Sequence, residues 1–170
     1  MKFGTADELK KIAKINKELK MVCKSEGRVD EKSIFSISSN YQKKEEGITI
    51  SVQSFADPLF LALRIKDGLN EQQLKKTLNI SLNIDKIRKA QESLGASGSF
   101  FFFSFDHKIA IKTIPNSEVQ ALLKILPYYY KHIMDNPKSL LSRFYGLFSV
   151  EIAGISKINF IMIENTFEQF

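Results

Sequence analysis

Gly95-Ala96-Ser97-Gly98-Ser99 leads directly into the aromatic run Phe100-Phe101-Phe102-Phe103-Ser104-Phe105. Residues this small let a backbone approach a ligand closely, and successive exposed N–H groups can cradle phosphate oxygens. The same residues also make ordinary turns, so the loop alone does not select a ligand. Lys112 narrows the choice. Lys108 to Ile114 alternates as a half-buried strand does, which puts Lys112 on one face with Ala110 and Ile114. A cation between apolar neighbours is costly to bury unless an anion pairs with it. A ligand phosphate or a carboxylate would meet that need; an edge-strand lysine whose head reaches water would not require one. Glu118 opens the next helix, which Asn116 or Ser117 can cap and which turns Val119, Leu122, Leu123 and Leu126 inward.

The other residues with chemical potential read as structural. Asp57, Asp67, Asp85, Asp106 and Asp135 fall at caps or turns, and none has a second carboxylate at a metal-holding spacing. His107 lies in a hairpin turn and His132 among aromatics, both without the Ser, Cys or Asp company of a nucleophilic triad. Tyr128-Tyr129-Tyr130 beside Lys131 could stack on bases, but no nucleic-acid motif surrounds them and aromatics on a helix are commonly core. No nucleic-acid partner is expected.

These residues must be positioned by a chain of 170 residues, enough for one domain with a real core and too short for two full ones. Hydrophobic residues make up 44% and charged residues 26%, which excludes disordered and collagen-like classes. No run approaches the roughly 18 apolar residues of a membrane span, and acids stand where a secretory signal would have its apolar stretch. Cys23 is alone, so no intrachain disulfide can form. The expected setting is intracellular, on the cytoplasmic side, with peripheral membrane contact admitted by a net charge of +6. Nucleic acid, anionic lipid and polyphosphates all suit that charge, which by itself does not choose among them.

Thr5-Ala6-Asp7-Glu8 fits a capping box, and Leu9, Ile12, Ile15, Leu19 and Val22 fall on one arc of a helix from about Ala6 to Cys23, with Lys10, Lys14 and Lys17 outside it. This amphipathic segment, residues 1–24, needs a partner surface: its own domain, another subunit or a membrane. Residues 25–47 carry no sustained period and read as a linker or irregular segment. Ile48, Ile50 and Val52 then alternate with Thr49, Ser51 and Gln53 as a strand, and residues 48–170 form the main lobe. A helix from Pro58 to Asp67, capped by Asp57 and ended by Gly68, and a second short helix within Asn70 to Leu82 follow. A β-hairpin turning at Asp106-His107 completes the pattern.

The run from Gly95 to Thr113, GASGSFFFFSFDHKIAIKT, closely resembles the nucleotide-binding hairpin of the phosphatidylinositol phosphate kinases, the phosphatidylinositol-4-phosphate 5-kinases among them. SEVQALLKILPYYYKHIM, NPKSLLSRFYGLFSV and KINFIMIENTF continue the resemblance in the family's order, and Phe55 to Arg64 looks like the helix near the start of its kinase core. About 120 residues, Ile48 to Phe167, are covered. The resemblance implies an α+β fold, an antiparallel sheet flanked by helices as in the amino-terminal lobe of a lipid kinase. It implies that Gly95, Ala96, Ser97, Gly98 and Ser99 cover the phosphates of ATP bound with Mg, and that Lys112 contacts them. Glu118 stands where an acidic partner of that lysine is expected; Met162, Ile163, Glu164 and Asn165 match the strand entering the hinge beside the adenine. One departure stands out: Ile87, Ala90 and Leu94 have helical spacing where a kinase loop wants strand-like backbone leading into it.

In the family, the second lobe supplies the catalytic aspartate, a metal-binding aspartate and the loop that selects the lipid. The resemblance ends at Phe167, before that lobe. It therefore implies a lobe that is not catalytic alone and serves as a binding or structural subunit of a larger assembly. The alternative is the front portion of an active kinase whose remainder lies on another polypeptide or was cut away; a basic membrane adaptor using Lys10, Lys14 and Lys17 is a third reading. A solitary lobe should also expose apolar surface, for which Phe144, Tyr145, Phe148, Phe160 and Phe167 are the candidates, so a protein partner covering that face is expected.

Overall fold

The alternation at Ile48, Ile50 and Val52 forms strand β2, Ile48–Ser54, in this computed structural model, which describes residues 39–45, 47–92 and 100–166 together with Lys10 and Ala13. The sheet begins earlier than the sequence pattern suggests. Ser39–Glu45 is strand β1, paired with β2 from Ser39↔Ser54 to Glu45↔Ile48. The side chains of residues 39–44 are exposed on both faces, so the strand carries no hydrophobic alternation; the neighbouring ladder and a turn at Gly47, φ 81°, define it instead. Of the amphipathic helix expected over Ala6 to Cys23, Lys10 and Ala13 are helical and exposed, and the rest lies outside the described residues.

Helix α1 spans Asp57–Lys66 with Pro58 in its first turn. Asp57 is not its cap. Ala56 takes that position with a left-handed backbone, φ 47°, while the Asp57 carboxylate accepts hydrogen bonds from Ser39 Oγ at 2.7 Å and from Ser54 Oγ. Gly68, φ 77°, closes the helix as expected, its N–H donating to the Ile65 carbonyl at 3.1 Å. Two helices occupy the next stretch rather than one. Asn70 and Gln73 form a capping box for α2, Glu71–Thr77, and Asn79 accepts from the Leu82 N–H at the start of α3, Ile80–Glu92. Then come β3, Phe101–Phe103; β4, Ile109–Ile114; α4, Asn116–Asp135; β5, Phe144–Ile152; and β6, Ile158–Glu164. No side-chain cap starts α4: Pro115 precedes it, and neither Asn116 nor Ser117 serves.

The six strands make one antiparallel sheet in the order β1-β2-β5-β6-β4-β3. This is the α+β arrangement, an antiparallel sheet flanked by helices, that the sequence led us to expect. Register assigns the two faces. Ala110, Lys112 and Ile114 of β4 share a face with Ile161 and Ile163 of β6 and Leu147 of β5, and α1 and α4 pack on it. Leu59, Phe60, Leu63, Leu126 and Ile133 are fully buried there, each contributing about 1.5–3 kcal/mol by leaving water. The opposite face carries Ile109, Ile111, Phe148, Phe160 and Met162, and α2 lays Leu74 and Leu78 against it. Arg64 donates to the Tyr145 carbonyl and Lys66 to that of Ile133, which fixes α1 to β5 and α4.

Candidate functional site

The hairpin of β3 and β4 pairs Phe101 with Lys112 and Phe103 with Ala110, so these four side chains share the α4-facing side of the sheet. Phe101 and Phe103 meet edge to face, centroids 4.8 Å apart. Residues 95–99 lie outside the described residues; Phe100, which follows them in sequence, is held to Thr113. Phe100 N–H donates to Thr113 Oγ1 at 2.9 Å, and Thr113 N–H donates to the Phe100 carbonyl at 3.0 Å. Phe100 is therefore anchored beside Thr113, the neighbour of Lys112.

Lys112 is half-buried, flanked by Ala110 and Ile114, 1% and 8% exposed, and opposite Ile161. Among the described residues it forms no salt bridge; Glu118, exposed in the first turn of α4, does not reach it. A cation so placed suits an anion arriving from outside the lobe. The hinge candidates divide. Met162 and Glu164 pair with Ile111 and Ile109, so both side chains point away from Lys112, and only Ile163, opposite Ala110, shares its face. Asn165 is buried and committed to the hairpin: its side-chain amide donates to the His107 carbonyl at 2.7 Å and its N–H to that of Lys108 at 3.0 Å.

A polar knot holds the hairpin turn, and the sequence did not reveal it. Asp106 accepts from Thr77 Oγ1 and Ser104 Oγ, both at 2.8 Å, and Ser104 Oγ accepts from the Ile109 N–H at 3.0 Å. Asn83 receives the Phe105 N–H at 2.7 Å and donates to the Thr77 and Asn79 carbonyls. Burial alone would raise the Asp106 carboxyl, but the hydrogen bonds from Thr77, Ser104 and Lys108 outweigh it and hold the group below its ordinary value. His107, at φ 55°, completes the turn, with Lys86 against its Nε2. The close spacing of Ser104 and Asp106 was the available signal, a local side-chain turn; the partners Thr77 and Asn83 are set by tertiary packing.

Beyond the turn, Asp67, Asp106, Tyr145, Glu164 and Asn165 line a polar cavity of about 430 Å³. Burial pushes the Asp67 carboxyl up against the opposing pull of Arg143, whose Nε stands 3.5 Å away, and pushes the Tyr145 hydroxyl up as well. Asp57, Asp67 and Asp106 are thus each held by side chains distant in sequence, and Asp135 by Lys131 one turn away. Among the described residues no cluster of three His, Cys, Asp or Glu side chains could hold a metal ion. Tyr129 and Tyr130 are core: Tyr129 Oη donates to the Ser142 carbonyl at 2.7 Å and accepts from the Phe144 N–H at 2.9 Å, and burial raises both hydroxyls to about 12.

The aromatic residues expected on one open face do not lie together. Phe144 packs into the α4 side against Tyr129, Tyr145 is buried, and Phe167 lies outside the described residues. Phe148 and Phe160 point to the other side of the sheet, because register and not composition decides the face. The helical spacing at Ile87 wins over the expectation of a strand before the loop, since α3 runs to Glu92.

The six-stranded antiparallel sheet and its helices are compatible with a kinase amino-terminal lobe. The family model for Phosphatidylinositol-4-phosphate 5-Kinase matches residues 82–170, and the chain belongs to that family. It is 44% identical over 88 residues, 52% of the chain, to the phosphatidylinositol 4-phosphate 5-kinase its3 of Schizosaccharomyces pombe. It is 47% identical over 104 residues, 61% of the chain, to phosphatidylinositol 4-phosphate 5-kinase 1 of Arabidopsis thaliana. The human phosphatidylinositol 4-phosphate 5-kinase type-1 alpha is 44% identical over 73 residues, 43% of the chain. These matches cover 12, 14 and 13% of the respective relatives' lengths, so the similarity concerns a small part of each. Among the described residues no helix is long and apolar enough to cross a membrane.

Proposed function

We propose that this chain is the nucleotide-holding lobe of a phosphatidylinositol phosphate kinase, in which Lys112 and the loop Gly95-Ala96-Ser97-Gly98-Ser99 grip the phosphates of ATP. The observation that carries the reading is the half-buried Lys112, set between Ala110 and Ile114 one residue from the anchor of that loop. A triphosphate suits this cation because its charge offsets the desolvation of the ammonium. Magnesium ATP, when bound, supplies the transferable phosphoryl group. Of the hinge candidates, Ile163 is the side chain that can face an adenine, and Phe103 and Ala110 extend the same apolar surface. Glu118 would need to turn inward to meet Lys112.

On this reading the lobe does not transfer phosphate by itself, and a protein partner covers the Lys112 face, where Phe101 remains 37% exposed. The carboxylates Asp57, Asp67, Asp106 and Asp135 are engaged in hydrogen bonds and ion pairs within the lobe, which supports a catalytic base and metal ligands coming from elsewhere. The phosphoinositide head group and an anionic membrane would be met by the assembled protein. The test incubates purified chain with ATP, magnesium and phosphatidylinositol 4-phosphate vesicles. Nucleotide binding without lipid phosphorylation is the expected result; phosphorylation by the chain alone would reject the non-catalytic part.

A second reading has support in the small share of each relative that the chain matches: it is the front portion of an active kinase completed by another polypeptide. Adding a carboxy-terminal lobe from a relative should then restore transfer, and Lys112→Ala should abolish it.

A further inference from the structure

Helix α4 is apolar on two sides, and only one of them is core. Val119, Leu122, Leu126 and Ile133 close on the sheet. At about 100° per residue, Ile125, Tyr128 and His132 fall within an arc of about 60° on the outward side. Ile125 is 53% and Tyr128 56% exposed there. The strip continues past the end of the helix. His132 Nε2 stands 2.9 Å from Ser139 Oγ, and the Asn136 side-chain amide donates to the His132 carbonyl at 2.9 Å, which ties the loop 136–142 to that side. The loop presents Leu140, fully exposed, and Leu141, 54% exposed. Its backbone is held. Buried Arg143 donates to the Leu141 carbonyl at 2.9 Å and to that of Pro137 at 3.2 Å, and Tyr129 Oη donates to that of Ser142 at 2.7 Å. Single exposed leucines are ordinary. Two on a braced loop, in line with an exposed apolar helix side, make a patch.

We propose that this patch seats the lobe on an anionic lipid bilayer, with Leu140 and Leu141 entering the acyl boundary and Tyr128 at head-group depth. Charge selects the occupant. Residues 119–142 carry Lys124, Lys131 and Lys138 and a single acid, Asp135, which Lys131 pairs. Lys124 and Lys131 follow one edge of the strip at helical spacing, Lys138 stands two positions before Leu140, and all three are exposed. Apolar side chains edged by lysines are the pattern of a surface that lies in the head-group region of an anionic membrane. Tyrosine supplies an apolar ring with a polar tip for that boundary. A second copy of the chain fits less well, because a self-complementary contact through this patch brings the lysines of both copies together. The bracing by Arg143 and Tyr129 means that insertion does not have to order the loop first. The patch faces away from the sheet, so the inference neither needs nor tests the nucleotide reading; it goes beyond the membrane contact proposed for the assembled protein by assigning a surface of this lobe to it.

The chain contains no tryptophan, so Leu140→Trp gives a single fluorescent reporter in the loop. The full chain carrying it is mixed, at low salt and without nucleotide, with vesicles of phosphatidylserine and phosphatidylcholine. The expected result is a blue shift of the emission and its quenching by brominated acyl chains. Ile158→Trp, at the start of β6 and so at the opposite end of the sheet from Arg143, which meets Glu164, should show neither. In the Leu140→Trp background, Lys138→Ala should weaken vesicle binding about 5-fold, and Leu141→Asp should abolish it. Failure to bind the vesicles overturns the proposal. So does sedimentation with the vesicles without a shift at residue 140, or with equal shifts at 140 and 158, because the membrane then meets another surface. So does a dimer in sedimentation velocity that Leu141→Asp dissolves while lipid leaves the emission unchanged, which would identify a second copy as the occupant. Residues 140 and 141 are exposed, so these substitutions should keep the thermal unfolding midpoint, which is measured alongside.

Discussion

The two faces of the sheet are built from the same strands and do different work. On the α4 side, register brings Leu147, Ile114 and Ile161 under α1 and α4, and the core closes completely around Leu126 and Ile133. Lys112 stands at the margin of that same face, where burial is incomplete. On the other side, Phe148, Phe160 and Val150 line a groove only partly covered by α2 and α3. The difference shows that a closed core fixes the strands, with a lysine among apolar neighbours as the polar exception at its margin.

The contrast predicts unequal costs. Leu126→Ala, on the closed face, should destabilise by about 2–5 kcal/mol through the cavity it leaves. Phe148→Ala, in the groove, should cost clearly less, because its ring already borders open space; chemical denaturation of both variants gives the comparison, and equal losses would break it. Lys112→Ala should leave stability almost unchanged while weakening nucleotide binding about 10- to 100-fold, the size of a lost charge-assisted hydrogen bond.

The polar knot between the faces sharpens the picture further. Asp106→Ala should cost about 1–3 kcal/mol by stripping acceptors from Thr77 and Ser104. Because the folded-state pKa of Asp106 is depressed, its stabilisation is fully present above the ordinary carboxylate pKa of about 3.9 and is lost as pH falls through the folded value. The stability gap between the native chain and Asp106→Asn should narrow as pH drops from neutral into that range, measured by urea midpoints. Smallest of all is Gly146→Ala. Its Cβ would come within 2.5 Å of the Phe148 ring, at the bulge between Phe144 and Gly146, but the ring can swing into the groove. A loss of about 1 kcal/mol is expected.

Much of this was readable from residue order. Alternation gave β2 and β4, Pro58 and Gly68 bounded α1, and the position of Lys112 between Ala110 and Ile114 followed from period two alone. What escaped has a physical reason in each case. β1 has polar side chains on both faces, so pairing and not patterning defines it. Asp57 looked like a cap, but the left-handed Ala56 made a tertiary role available to its carboxylate. The side to which Phe148, Met162 and Glu164 point depends on register across strands far apart in sequence, which a local window does not contain. The Thr77–Asp106 bond joins a helix end to a hairpin turn for the same reason.

The central claim, that Lys112 is kept half-buried to receive a nucleotide's phosphates, has one most direct test: calorimetric titration of the full chain and of Lys112→Ala with magnesium ATP and with adenosine. The account predicts that the native chain prefers ATP and that the variant loses this preference while retaining its thermal unfolding midpoint. Equal ATP affinity in both proteins would contradict it.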